Sequence, residues 1–263
     1  MKNLKISYKI ILTITALMLI AGLAVAWRVK QPTAKPPVKI TAVKPAKVAG
    51  YNHALLDTFN KVSALMDLQH LPSTYSGTIN IIDKGDSTRN VSLMPFLFSC
   101  KGNDCFYRCG NTETLNAGSY YLYIDHDRKR VLVGAQKSVA VLGFGGIAEL
   151  KMDMVNEHYQ LNQSVTGKFK TIRFINERHV ACREYALSYD TAAMKINRIY
   201  VRLTDPNALT DKARGQIIDI HFTEWFTGAD IGRFLNVKDV IAMSGGNITL
   251  QKKYSSYQVI SIH

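Results

Sequence analysis

Three of the chain's four cysteines, Cys100, Cys105 and Cys109, stand within "FSCKGNDCFYRCGN", and the fourth, Cys182, lies far downstream. Cysteines this close together serve a metal site, a redox centre or a disulfide staple. A four-cysteine zinc site is normally built from paired C-x₂₋₄-C knuckles, whereas C-x₄-C-x₃-C has no second knuckle around Cys182. With no C-x-x-C in the chain, a thioredoxin-type centre has no basis either. An even count in an exported domain favours disulfides. On one strand, Cys105 and Cys109 would lie about 13 Å apart at ~3.3 Å per residue, too far to bond each other. Two connectivities remain. Cys100–Cys105 closing the "KGND" hairpin, with Cys109–Cys182 tying it to a later strand, demands less distortion than the pairing through Cys100–Cys109.

Other residues imitate catalytic patterns. "VAVLGFGGIAEL" contains G-x-G-x-x-A at Gly143, Gly145 and Ala148. A dinucleotide site also needs an acid about twenty residues on, at the end of the next strand, and the chain there reads "VTGKFK". His221 and Glu224 in "HFTEW" are three apart on an expected strand, so strict alternation sends them to opposite faces and keeps them from sharing a metal. Asp125, His126 and Asp127 read as a hydrated hairpin loop. No G-x-S-x-G, H-E-x-x-H or G-x-x-x-x-G-K-[ST] occurs. The expectation is no catalytic residue, no metal, no cofactor and no enzymatic activity.

Aromatic side chains crowd the expected strands: Phe96, Phe98, Phe106, Tyr120, Tyr121, Tyr123, Phe222 and Trp225. Such density fills a core under helices, or it lines an apolar concavity able to hold an acyl chain. The second possibility makes Phe96, Phe98, Phe106, Tyr121, Tyr123, Phe222 and Trp225 the candidate ligand-binding set.

The elements that must position these side chains follow from periodicity. Leu55, Phe59, Val62 and Met66 recur at helical spacing behind Asn52, a candidate N-cap, and Pro72 closes that unit. "YSGTINIID", "VSLMPFLFSC" and "CFYRCGN" read as strands, the last two flanking "KGND". "SYYLYID" and "RVLVG" form a hairpin around "HDRK". A helix is expected from about Ile147 to Leu161. Four strands follow: "KFKTIRFI", "HVACREYALSY", "INRIYVRLT" and "QIIDIHFTEWF". Thr227 and Asp230 stand at capping-box spacing before a short helix, and "NITLQKKYSSYQVISI" supplies the last strand material. The predicted fold is α+β: a curved antiparallel sheet, or half-barrel, with helices packed on one face.

Ahead of that domain, "MKNLKISYK" is a short basic leader over residues 1–9, and residues 10–27 run without a charge. The run is long enough to span a bilayer, which needs roughly 17–25 residues, so it reads as a transmembrane signal anchor. Ala24-Val25-Ala26 offers cleavage as the alternative. Residues 28–49 hold four prolines and six basic residues, a semi-rigid Lys/Pro linker. The outer flank is the more basic, which alone would point the domain inward; the leader and the cysteine pattern favour export. Of the net +13, residues 1–49 carry nine, leaving +4 for the other 214 residues. The basicity therefore suits a membrane surface, and nucleic acid is not an expected partner.

The order of an opening helix, "YSGTINIID", the hairpin "SYYLYIDHDRKRVLV", a middle helix, the pair "INRIYVRLTD" and "QIIDIHFTEW", and a closing "YSSYQVISI" resembles the LolA-like periplasmic fold of lipoprotein carriers. The resemblance spans roughly residues 51–262 as topology. It implies a half-closed antiparallel barrel, lidded by helices, whose cavity carries a lipoprotein's acyl chains. The tether and the cysteine staple depart from that pattern, no lipobox cysteine follows the leader, and no functional residue is carried over. The expected protein is thus anchored in a bacterial inner membrane by a single pass, with residues 50–263 in the periplasm, binding a lipid or lipoprotein; the alternative is a structural subunit of an envelope secretion or transport complex.

Overall fold

A computed structural model of the chain describes residues 52–64, 72–138, 157–227, 232–244 and 247–261. The leader, the apolar run, the linker, the glycines at 143 and 145 and the capping-box Asp230 lie outside these residues. Among the described residues no helix is long and apolar enough to cross a membrane.

Helix α1, His53–Ser63, starts where Asn52 Oδ1 accepts the amide of Leu55 at 3.1 Å. Its spacing places Leu55, Leu56, Phe59 and Val62 on one buried stripe. Phe59 is fully buried and meets Phe174 edge-on at 4.9 Å, with Tyr185 at 6.2 Å.

Among the described residues fourteen strands follow: β1 Ser73–Asp83, β2 Val91–Lys101, β3 Asp104–Cys109, β4 Thr112–Ala117, β5 Tyr120–Asp125, β6 Arg130–Ala135, β7 Gln160–Thr166, β8 Phe169–Ile175, β9 Cys182–Asp190, β10 Lys195–Leu203, β11 Gln216–Thr227, β12 Ile241–Ser244, β13 Asn247–Leu250 and β14 Gln258–Ser261. Twelve form one unclosed, curved sheet in the order β14-β6-β5-β4-β3-β2-β1-β11-β10-β9-β8-β7, while β12 and β13 form a separate hairpin. The sheet is two antiparallel meanders, β1–β6 and β7–β11, joined where β1 pairs with β11 along its whole length. Tight turns keep the meanders local; between β4 and β5, Gly118 and Ser119 both take positive φ, 58° and 73°, as a two-residue hairpin turn requires.

Two-residue alternation splits the large sheet into two faces. The inner face, which bears α1, carries Tyr75, Ile79, Ile81, Phe96, Phe98, Ile172, Phe174, Leu187 and Ile218. On the first meander a second core forms on the opposite face from Phe106, Leu115, Leu122, Ile124, Val131 and Val133. The C-terminal segment covers it with Phe234, Val240, Ile241 and Tyr254, and β14 then adds to β6 in parallel. The single covered face expected from the sequence is therefore corrected, because β4–β6 direct their branched side chains to the other side, which must also be shielded from water.

On β9–β11 the opposite face is polar. Arg198 donates to both carboxylate oxygens of Asp219 at 2.6 and 2.9 Å, and Arg202 pairs with Glu177 and Glu184. Arg183, only 1% exposed, donates to the carbonyls of Leu209 at 2.8 Å and Asp211 at 3.2 Å, and so fastens the β10–β11 loop to β9.

One expected element differs, and some strands were not expected. The middle helix does not reach Leu161, since Gln160 and Leu161 begin β7; the rest of that helix lies outside the described residues. β4, β7 and β12 are additional strands, and the short, mixed sequences of β4 and β12, "TETLNA" and "IAMS", show no clean alternation.

The cysteines are divided. Cys100 and Cys105 face each other across the β2–β3 hairpin and are disulfide-bonded, with Cα atoms 4.2 Å apart. Cys109 and Cys182 are free thiols, so the second expected bond is corrected. Cys109 stands on β3 and Cys182 on β9, five strand spacings apart in the sheet order, about 24 Å at ~4.8 Å per spacing.

Candidate functional site

The inner face of β1, β2, β3 and β11 gathers six aromatic rings. Tyr75 is the hub: its ring lies 4.1 Å from Trp225, 6.2 Å from Phe98 and 6.3 Å from Phe222. Phe222 in turn meets Trp225 at 5.4 Å and Phe96 at 5.6 Å, the latter perpendicular, and Phe98 reaches Tyr107 at 6.3 Å. Edge-to-face and offset pairs at these separations are the favoured geometries of aromatic quadrupoles.

A bulge makes this cluster possible. Ser76 pairs with Glu224 but Gly77 pairs with Phe222, leaving Thr223 as the extra residue on β11. Three positions apart on a regular strand, Phe222 and Trp225 would face opposite ways; the bulge turns both inward. It also overturns the expectation for His221 and Glu224, which now share the outer face. They still engage separate partners, His221 Nε2 facing Asp219 at 3.2 Å and Glu224 accepting from Ser76 at 2.9 Å.

Of the predicted ligand set, Phe96, Phe98, Phe222 and Trp225 come together. Tyr121 and Tyr123 share the inner face but stand on β5, two strands beyond β3. Lys137 Nζ sits 3.9 Å above the Tyr121 ring, and burial, with the neighbouring Asp125 charge, pushes the Tyr123 hydroxyl up to about 12. Phe106 is on the opposite face, stacked on Phe234 at 5.6 Å, and is not brought together with the other rings. Sequence reasoning missed Tyr75 and Tyr107.

Most of the cluster is covered: Tyr75 is 2% exposed, Phe98 3%, Phe96 8% and Trp225 8%, while Phe222 is half-buried. Burial raises the Tyr107 hydroxyl and the Cys109 thiol well out of the neutral range, so both are uncharged. The surface is apolar and neutral, suited to hydrocarbon and unsuited to a charged head group.

A second constellation has the residue types of a thiol triad. His179 Nε2 faces Glu157 at 2.8 Å, and Cys182 follows three residues later. The geometry does not serve a nucleophile. His179 Nδ1 accepts the amides of Cys182 at 2.9 Å and Ala181 at 3.2 Å, leaving no ring nitrogen to take the thiol proton. Burial holds the Cys182 thiol up to about 12, and its Sγ donates to Glu184 O at 3.4 Å. The arrangement pins the β8–β9 loop. Asp125, His126 and Asp127 are likewise spent on structure: Asp125 accepts from the Arg128 amide, Asp127 from Asn111, and His126 bridges Tyr257 and Glu113. No group of three or more metal-ligating side chains converges among the described residues.

No protein-family model and no curated protein matches the sequence. Solved structures do. A LolA superfamily protein from Nitrosomonas europaea covers 70% of this chain and 98% of its own at 9% identity, with a TM-score of 0.32. The Pseudomonas aeruginosa MucA/MucB complex covers 75% of this chain and 63% of its own at 12% identity and 0.33. A putative outer-membrane lipoprotein-sorting protein domain from Vibrio parahaemolyticus covers 68% and 95% at 11% identity and 0.29. The chain thus bears a weak, low-identity resemblance to LolA-like structures.

Proposed function

We propose that this is a non-catalytic envelope domain that takes an acyl chain of a lipid or lipoprotein on its inner aromatic face, held at a bacterial inner membrane by residues 10–27 and extended into the periplasm by the 28–49 linker. The six-ring cluster carries this reading: an apolar, uncharged surface built on four strands, with the half-buried Phe222 at its accessible edge. The low exposure of Tyr75 and Phe98 means that an acyl chain enters only by displacing what covers them. That same burial supports a second reading, a structural subunit of an envelope assembly whose inner face is simply core.

Photo-labelling separates the two. The full chain, reconstituted in nanodiscs and exposed to a photoactivatable palmitate, should be labelled within 91–101 and 216–227, the strands carrying Phe96 and Phe222. Phe222→Glu should lower that labelling severalfold while the thermal midpoint is held. Labelling confined to residues 10–27, or absent, would sink the acyl reading and leave the subunit.

A further inference from the structure

β7 is an outer strand of the large sheet. It pairs with β8 without a register break, from Gln160 opposite Ile175 to Thr166 opposite Phe169, and its other edge has no strand beside it among the described residues. An open edge presents a row of backbone donors and acceptors, and proteins normally guard it with charge, proline, a bulge or brevity. The opposite outer strand, β14, is guarded by brevity at four residues. β7 has no such guard: "QLNQSVT" is uncharged, proline-free and unbulged, six of its seven residues are exposed, and Val165 is 67% exposed.

We propose that the β7 edge docks an extended segment of a partner protein carrying acidic and apolar side chains in alternation, added as a further strand. Its chemistry is set by what lies behind β7. On the inner face Leu161 packs against the large core cluster, so an apolar side chain beside it continues that surface. On the other face Arg173 stands opposite Asn162, is exposed, and makes no ion pair among the described residues. An arginine is long enough to meet a carboxylate on that face of the incoming strand, while the strand's alternate, apolar side chains fall on the Leu161 and Val165 face. A second copy of this chain is disfavoured by the same charge, because joining two β7 edges supplies another Arg173 and no carboxylate to meet it. The docking is independent of whether the inner face takes an acyl chain.

The test uses the full chain and two fluorescent peptides as long as β7, one alternating valine with glutamate and the other valine with lysine. The glutamate peptide should bind saturably by anisotropy, at least about tenfold more tightly than the lysine peptide. It should also slow hydrogen exchange at alternate amides of residues 160–166. Arg173 is exposed, so Arg173→Glu should fold and reverse the preference. Equal binding of the two peptides, unchanged exchange in 160–166, or a preference unmoved by Arg173→Glu would overturn the proposal. So would a doubled mass with β7 already protected, which assigns the edge to a second copy.

Discussion

Gly77→Ala should damage this protein more than its single methyl group suggests. Gly77 lies on β1 at the bulge, between Phe96 on β2 and Phe222 on β11, whose rings meet perpendicularly at 5.6 Å. A Cβ built there would stand 1.9 Å from the His221 carbonyl oxygen, 2.9 Å from its carbon and 2.8 Å from Phe96 Cε1. A ring edge can swing aside, but a backbone carbonyl in a ladder cannot move without its strand, and this ladder joins the two meanders. Overpacking of a core costs about 1–3 kcal/mol, and contact with backbone puts this case at the upper end, about 3 kcal/mol. For a domain of this size each kcal/mol lowers the midpoint by about 2–4 °C, so the expected loss is about 6–12 °C by circular dichroism. Ser76→Ala, one residue away on the exposed outer face, is the control and should move the midpoint by only about 1–2 °C. If Gly77→Ala matched that control, the bulge and the packing of Phe222 beside β1 would be wrong.

Three further outcomes are expected. Alkylation in denaturant without reductant should modify Cys109 and Cys182 alone, and all four cysteines after reduction, as read by intact mass; replacing Cys100 and Cys105 by serine should cost about 2 kcal/mol for so short a loop, and an unreduced chain that takes no label would refute the assignment. Arg183→Met should release the carbonyls of Leu209 and Asp211, lowering stability by about 2 kcal/mol and speeding hydrogen exchange across residues 205–214; unchanged exchange there would count against the clamp.

How much of this was legible depended on which information is local. The opening helix was legible because its cap and its stripe of Leu55, Phe59 and Val62 lie within a few turns, and most strands were legible because alternation is also local. The free thiols were not, since their separation follows from strand order, and strand order is a property of the whole chain. The faces were the subtle case. Period-two alternation says which residues share a side but not whether both sides are covered, so Phe106 was grouped with Phe98 although a C-terminal segment more than a hundred residues later claims it. A better reading was available from the cysteines. A Cys100–Cys105 bond across a hairpin forces both residues to one face; parity along β2 then puts Phe98 there, and parity along β3 adds Tyr107 and Cys109 and excludes Phe106. Within the aromatic cluster parity fails at the bulge, where Gly77 against Phe222 resets the count and brings Phe222 and Trp225 to one side. Glycine in an otherwise regular strand is a signal for such a break, and here it coincides with the point where the two meanders join and the aromatic cluster is assembled.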